Sequence, residues 1–212
     1  MHRLPTLIIS AALCLCCCSP AAPGDFTSEE KALIHRSASG LEADAPEGTM
    51  RVLTISDPYD LSVLRSKSSD LSIDALLSSD YEALSRLMVA TVTHPSQDGV
   101  GIAGPQVGLN RRVVAVQRFD KEGEPFEVYP NISIVWASDS LAAGPEGCLS
   151  VPDRRGDVLR STEIIIEYAD ITALSKDCKE IPMVRDTISG FTAVIFQHET
   201  DHLDGVLYID RL

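Results

Sequence analysis

Apolar positions recur at helical spacing between Ile73 and Thr93, where Leu76, Leu77, Leu84, Leu87, Met88 and Val92 form one stripe. Asp80 predicts an N-cap for the second part of this stretch. Gly190 to His202 is denser in apolar residues and is closed by Gly205, which predicts a second helix. Shorter runs read as strands: Arg51–Ser56, stopped by Asp57-Pro58, then Arg112–Gln117, Val128–Trp136 and the isoleucine-rich Glu163–Tyr168. Val206 to Ile209 predicts a last short strand. Several strands with two well-separated helices predict an α+β fold, not alternating βαβ units.

The N-terminus follows a different pattern. His2 and Arg3 precede an apolar stretch from Leu7 to Cys18, broken only by Ser10 and followed by Ser19-Pro-Ala-Ala-Pro-Gly24. A basic start, a short apolar stretch and a small-residue tail are export-signal features. The stretch is shorter than the about 20 apolar residues a membrane span requires. Residues 1–18 are therefore predicted to be a signal peptide of lipoprotein type, with Cys18 lipidated and attached to a membrane. Cys17 before Cys18, in place of Gly or Ala, is an imperfect match to that cleavage pattern. Residues 19–48 are small, polar and acidic and predict a flexible tether; the folded domain is predicted over 49–212. Met50 is the alternative start.

With 44% hydrophobic residues the chain has enough apolar material for a core. Its net charge of -13 repels phosphate backbones and argues against a nucleic-acid partner. Four of the six cysteines crowd the N-terminus, leaving Cys148 and Cys178, too few for a disulfide framework.

The strongest chemical signal is His198-Glu199-Thr200-Asp201-His202, an H-E-x-x-H pattern on the second predicted helix. Residues four apart share a helical face, so both imidazoles can reach one ion. Glu199 is beside a ligand without being one and can take a proton from water. Zinc proteases with this motif usually draw a third ligand from downstream. Only ten residues follow His202, none of them Glu or His, and Tyr208 stands where the extended H-E-x-x-H-x-x-G-x-x-H pattern has its last His. The third ligand is thus expected upstream, and Cys148 in Glu146-Gly-Cys-Leu-Ser150 is the candidate, a thiolate being a strong transition-metal ligand. The Gly-rich run Gly99–Gly108 lacks the G-K-[ST] of a phosphate loop. Its glycines would let a peptide backbone approach closely, and Gln106 could donate to a developing oxyanion.

Together, Gly99-Val-Gly-Ile-Ala-Gly-Pro-Gln106, Glu146-Gly-Cys-Leu-Ser150 and Gln197-His-Glu-Thr-Asp-His202 resemble, in order and spacing, the three signature motifs of the peptide deformylase family. The resemblance runs from Met50 to Leu212. It implies hydrolysis of the formyl group from N-formylmethionyl peptides and nascent proteins, on an α+β fold with a central metal-binding helix among antiparallel sheets. It assigns one ion, usually Fe2+ with Zn2+ possible, to Cys148, His198 and His202, with Glu199 as general acid/base. Gln106 and the Leu149 N–H would hold the oxyanion. Gly101, Ile102, Glu146 and Gly147 would meet the substrate, with Glu146 orienting Arg154 or Arg155. The chain is expected to be a monomer. Gly104 stands where Ala is common, which predicts a looser loop. The chain ends where many relatives continue into a further helix. Two other readings stay open: a zinc peptidase built on the same helix, and a non-catalytic formyl-peptide binder. The export signal points to the periplasm or cell envelope, whereas the implied reaction belongs in the cytoplasm.

Overall fold

The computed structural model describes residues 24–212. The predicted signal peptide, Cys18 and residues 19–23 lie outside the described residues. Among the described residues there are five α-helices: α1 Ser28–Ala38, α2 Pro58–Leu64, α3 Ile73–Leu76, α4 Ser79–Thr93 and α5 Gly190–Leu203. In the same described residues, eight strands run antiparallel in three sheets. The first holds β1 Gly101–Ala103, β2 Val113–Gln117 and β3 Phe126–Pro130, and the second holds β4 Ser133–Ala137, β7 Glu163–Ala169 and β8 Met183–Ser189. The third is a hairpin of β5 Leu141–Cys148 and β6 Val151–Ser161. The α+β expectation holds, with α5 packed against β1 and β2 and touching all three sheets.

Helix α5 is central because it is apolar on more than one side. Ala193, Phe196 and Leu203 enter the core shared with Val114, Val116, Ile164, Ile166 and Ile188. At about 25 cal/mol per Å2 of apolar surface, each such large side chain contributes roughly 1.5–3 kcal/mol. The helix ends as its sequence predicts: Gly205 has φ 73°, and the Val206 N–H donates to the Asp201 carbonyl at 2.9 Å. Gly205 also lies against the Arg65 carbonyl, which leaves no room for a Cβ there. Among the described residues no helix is long and apolar enough to cross a membrane.

Several local expectations are corrected. The tether predicted over 19–48 contains α1, whose Ile34 is fully buried against α4 and whose Phe26 approach is 3% exposed. Thr27 and Glu30 form a capping box, with bonds of 2.7 and 3.2 Å, so the helix has its own start signal despite its polar composition. Arg51–Ser56 forms no strand and turns at Ile55–Ser56. Its Leu53 and Ile55 N–H groups donate singly to the carbonyls of Gln106 and Ser150, which leaves no ladder partner. Asp57 instead caps α2. The N-cap of α4 is Ser78, not Asp80, because the Ser78 hydroxyl accepts from the Tyr81 N–H. Val128–Trp136 splits into β3 and β4, which belong to different sheets, at Asn131 with φ 51°. The predicted last strand at Val206–Ile209 is a loop running into a 3-10 turn, Tyr208–Asp210.

Candidate active site

Three elements converge. Helix α5 supplies His198, Glu199 and His202, the end of β5 supplies Cys148, and a 3-10 turn, Gly104–Val107, supplies Gln106. The donor atoms of Cys148, His198 and His202 all lie within 4.8 Å of one another, and Cys148 Sγ is 3.3 Å from His202 Nε2. One thiolate and two imidazoles around a point suit a single ion with metal–sulfur near about 2.3 Å and metal–nitrogen about 2.0–2.1 Å. The donor set and its spacing fit a divalent transition metal.

His198 is aimed by a carboxylate. Its Nδ1 is 2.8 Å from Glu146 Oε2, which leaves Nε2 for the ion. Glu146 is in turn gripped by Arg160, with bonds of 2.7 Å to Oε1 and 3.0 Å to Oε2. Arg160 also donates to Asp201 at 2.6 Å, and Arg211 donates to Asp201 at 2.6 and 2.5 Å. Burial alone would raise Glu146, but the Arg160 and His198 contacts overcome it and hold the carboxyl at about 2. Glu146 therefore orients neither Arg154 nor Arg155. Those two lie in Pro152–Arg155, four residues of β6 that stand opposite the single Gly147, between the pairs Cys148–Val151 and Glu146–Gly156. The irregularity carries them to the rim of the cleft. Glu146 lines the floor of the cleft with both oxygens engaged, so its direct role is toward His198 rather than toward substrate.

Glu199 is different. It is 4% exposed, and its Oε2 has no partner among the described residues. Burial pushes its carboxyl up to about 7, with nearby His198 pulling the other way. A carboxyl poised near neutrality can both accept and return a proton. Gly101 explains how it is placed. A Cβ at Gly101 would lie 2.5 Å from Glu199 Oε1 and 2.8 Å from Ile195 Cγ2, so the strand can approach the helix only without a side chain.

Gln106 is 1% exposed and its amide is oriented by the backbone. The Ala103 N–H donates to Oε1 at 2.8 Å, which turns Nε2 toward Cys148 Sγ at 3.5 Å and Ser150 Oγ at 3.3 Å. Leu149 and Gly147 line the same cleft, of about 820 Å3. Ile102 does not line it: its side chain is fully buried in the core beside α4, leaving only its backbone on β1, an edge strand of its sheet. Gly104 does not loosen its loop. A Cβ there would lie 2.6 Å from the Arg111 carbonyl oxygen and 2.7 Å from that of Leu109, so the turn is tightly seated.

Residues 49–212 match the family described as polypeptide deformylase. The chain belongs to the polypeptide deformylase family. A peptide deformylase of Leptospira biflexa is 35% identical over 169 residues, covering 76% of this chain and 87% of its own. A peptide deformylase 1 of Vibrio vulnificus is 36% identical over 168 residues, 77% of this chain and 86% of its own. The Met-Ala-Ser-bound class I type b deformylase of Acinetobacter baumannii superposes with a TM-score of 0.65 at 32% identity, covering 77% and 98% of the two chains. The deformylase of Thermotoga maritima gives 0.63 at 30% identity, covering 77% and 97%. Family and donor set together make this chain a metal-dependent peptide deformylase, a hydrolase with a divalent ion on Cys148, His198 and His202.

Two deformylase site features had no sequence signal strong enough to single them out. Arg160 is an isolated Arg in a strand that was not predicted. Tyr208, noted only for not being His, is buried with its ring 6.0 Å from that of His198 at 23°, walling the ligand on one side.

Proposed function

We propose that this chain removes the formyl group from N-formylmethionyl peptides with Glu199 as the proton carrier and ferrous iron as the resident ion. The observation that carries the reading is the buried, unpartnered carboxylate of Glu199 beside the Cys148–His198–His202 donor triad. An ion held by Cys148, His198 and His202 would supply Lewis acidity, which would polarise the formyl carbonyl and lower the pKa of water. A Cys-His-His set accommodates ferrous iron as well as zinc.

The chain's own groups do the rest. Glu199 takes a proton from the attacking water as the new C–O bond forms at the formyl carbon. Gln106 Nε2 and the Leu149 N–H donate to the oxygen on which negative charge develops. When the C–N bond breaks, Glu199 returns the proton to the departing amine, leaving formate and a free α-amino group. Gly101 and the backbone of Ile102 offer β1 as an edge for the peptide, with Gly147 on the facing hairpin. The cleft wall of Val100, Phe191, Val194 and Ile195 suits a methionine side chain. The Met-Ala-Ser bound to the Acinetobacter baumannii relative supports a peptide beginning with methionine as the occupant. Steady-state formate release tests the roles. Glu199→Ala should lower kcat by at least about 10^2-fold with the metal retained; an unchanged rate would remove Glu199 from the mechanism.

We assign residues 1–18 to an export signal with Cys18 as the lipid-bearing residue, supported by the charge and apolar pattern of the N-terminus. Mass spectrometry of the mature N-terminus should find a diacylglyceryl cysteine, and an unprocessed Met1 would refute the assignment. The catalytic unit is read as a monomer. Sedimentation should give one species near 22.9 kDa for the unprocessed chain, and a dimer would refute it.

A further inference from the structure

The segment 24–41 lies outside the residues that match the deformylase family, yet it is built into the fold. Arg111 is its anchor. The guanidinium is 7% exposed and donates to Glu30 Oε1 at 2.7 Å, Glu30 Oε2 at 2.8 Å, the Asp25 carbonyl at 2.5 Å and Ser69 Oγ at 3.1 Å. It also lies 6.0 Å from the centre of the Phe26 ring. The carbonyl oxygen of the same Arg111 packs under Gly104, the first residue of the turn that carries Gln106. The turn is closed by the Leu109 N–H donating to the Gly104 carbonyl at 2.9 Å. At its other end, Leu33 of α1 would be 3.2 Å from a Cβ on Gly108, which caps the turn with φ 87°. Val107 and Leu109 share a core with Phe26 and Ile34.

We infer that residues 24–41 form a brace that holds the Gln106 turn in register with the metal centre, acting through Arg111 below Gly104 and Leu33 against Gly108. Glu30 is thus a positioning residue, remote from the reacting atoms. The physical link is contiguous: strap carboxylate, Arg111 guanidinium, Arg111 backbone, Gly104, Gln106. A charge-assisted bidentate pair of this kind is stronger and more directional than a neutral hydrogen bond. Because Arg111 is buried, removing its carboxylate leaves a charge without its partner and forces the segment to rearrange. The catalytic consequence rests on the proposed role of Gln106; the structural consequence does not.

The Ala103 N–H reports the position directly, because it donates to Gln106 Oε1. Glu30→Ala and, separately, Ile34→Ala in the full chain should speed hydrogen exchange at the Ala103 amide about tenfold. The amides of Ile166 and Ile188, in the β7–β8 pair, should exchange at wild-type rates. With formyl-Met-Ala-Ser as substrate, kcat should fall roughly tenfold, as expected for a displaced donor, with KM unchanged. Glu30→Gln, whose single carbonyl oxygen replaces a two-oxygen acceptor and carries no charge, should restore only part of both readouts. Unchanged exchange at Ala103, equal acceleration at all amides, or altered exchange with wild-type kcat would each overturn the inference. If the wild-type chain released no formate, the proposed function would fail while the exchange arm still decided whether the brace exists.

Discussion

Gly101→Ala is the substitution whose effect the geometry fixes most tightly. Gly101 is not at positive φ, so alanine fits the strand backbone. The added Cβ would lie 2.5 Å from Glu199 Oε1, 2.9 Å from Glu199 Cγ and 2.8 Å from Ile195 Cγ2. Ordinary contact begins near 3.4 Å, so the carboxylate must retreat by about 0.9 Å. Glu199 and Ile195 are each 4% exposed, so neither can swing into solvent. Overpacking of this kind costs about 1–3 kcal/mol, a melting shift of roughly 2–12 °C for a chain of this size. The protein should stay folded at 25 °C and keep its metal, because no ligand is touched. A displacement near 1 Å in a proton carrier costs on the order of 10^2-fold in rate. The assay is formate release at saturating substrate, with melting and metal content measured on the same sample. Wild-type kcat in a variant that melts normally would refute the placement of Glu199 by Gly101.

The remaining predictions concern the frame of the site. Arg160→Met should weaken metal binding by about 10- to 100-fold, measured by chelator competition, because Glu146 loses the partner that aims it at His198; unchanged affinity would make the relay irrelevant. Gly104→Ala should lower stability by about 2–3 kcal/mol in a denaturant melt, since the Cβ meets two backbone carbonyls at 2.6 and 2.7 Å; a neutral effect would show that the turn is slack. Asp120 is bonded to Arg118, which holds its carboxyl at about 2, below the ordinary 3.8. The stabilisation is present above pH 3.8 and is lost as pH falls toward 2. Full linkage corresponds to about 2.4 kcal/mol; with the side chain 29% exposed, about 1 kcal/mol is expected. Asp120→Asn should flatten the stability curve over that window, and a curve parallel to wild type would contradict the pairing.

The donor set was legible because its spacing is local or carried by motifs. His198 and His202 are one helical turn apart, and α5 formed over the predicted residues. Cys148 could be reached by exclusion of downstream ligands, and Gln106 through its motif. The hairpin β5–β6 was not legible. Leu141, Ala142, Ala143 and Leu159 are exposed, and Gly144, Pro145 and Gly147 interrupt any alternation. A two-stranded ribbon with few buried positions leaves no period-two signal. Strand β8 was hidden for the same reason, since only Ile188 of its seven residues is buried. The α1 segment has the small polar composition of a tether. Thr27-x-x-Glu30 followed by Leu33 and Ile34 was the available signal for it. Arg160 and Tyr208 were out of reach because their partners come from other elements. No single-sequence pattern links a strand Arg to a carboxylate 14 positions earlier.

The most direct test is product analysis of formyl-Met-Ala-Ser incubated anaerobically with the full, iron-loaded chain. Formate and Met-Ala-Ser should appear in equal amounts, with one ion per chain, and Cys148→Ala should lose both the ion and the activity. Release of a free amino acid without formate, or formate production undiminished in Cys148→Ala, would contradict a deformylase centred on Cys148, His198 and His202.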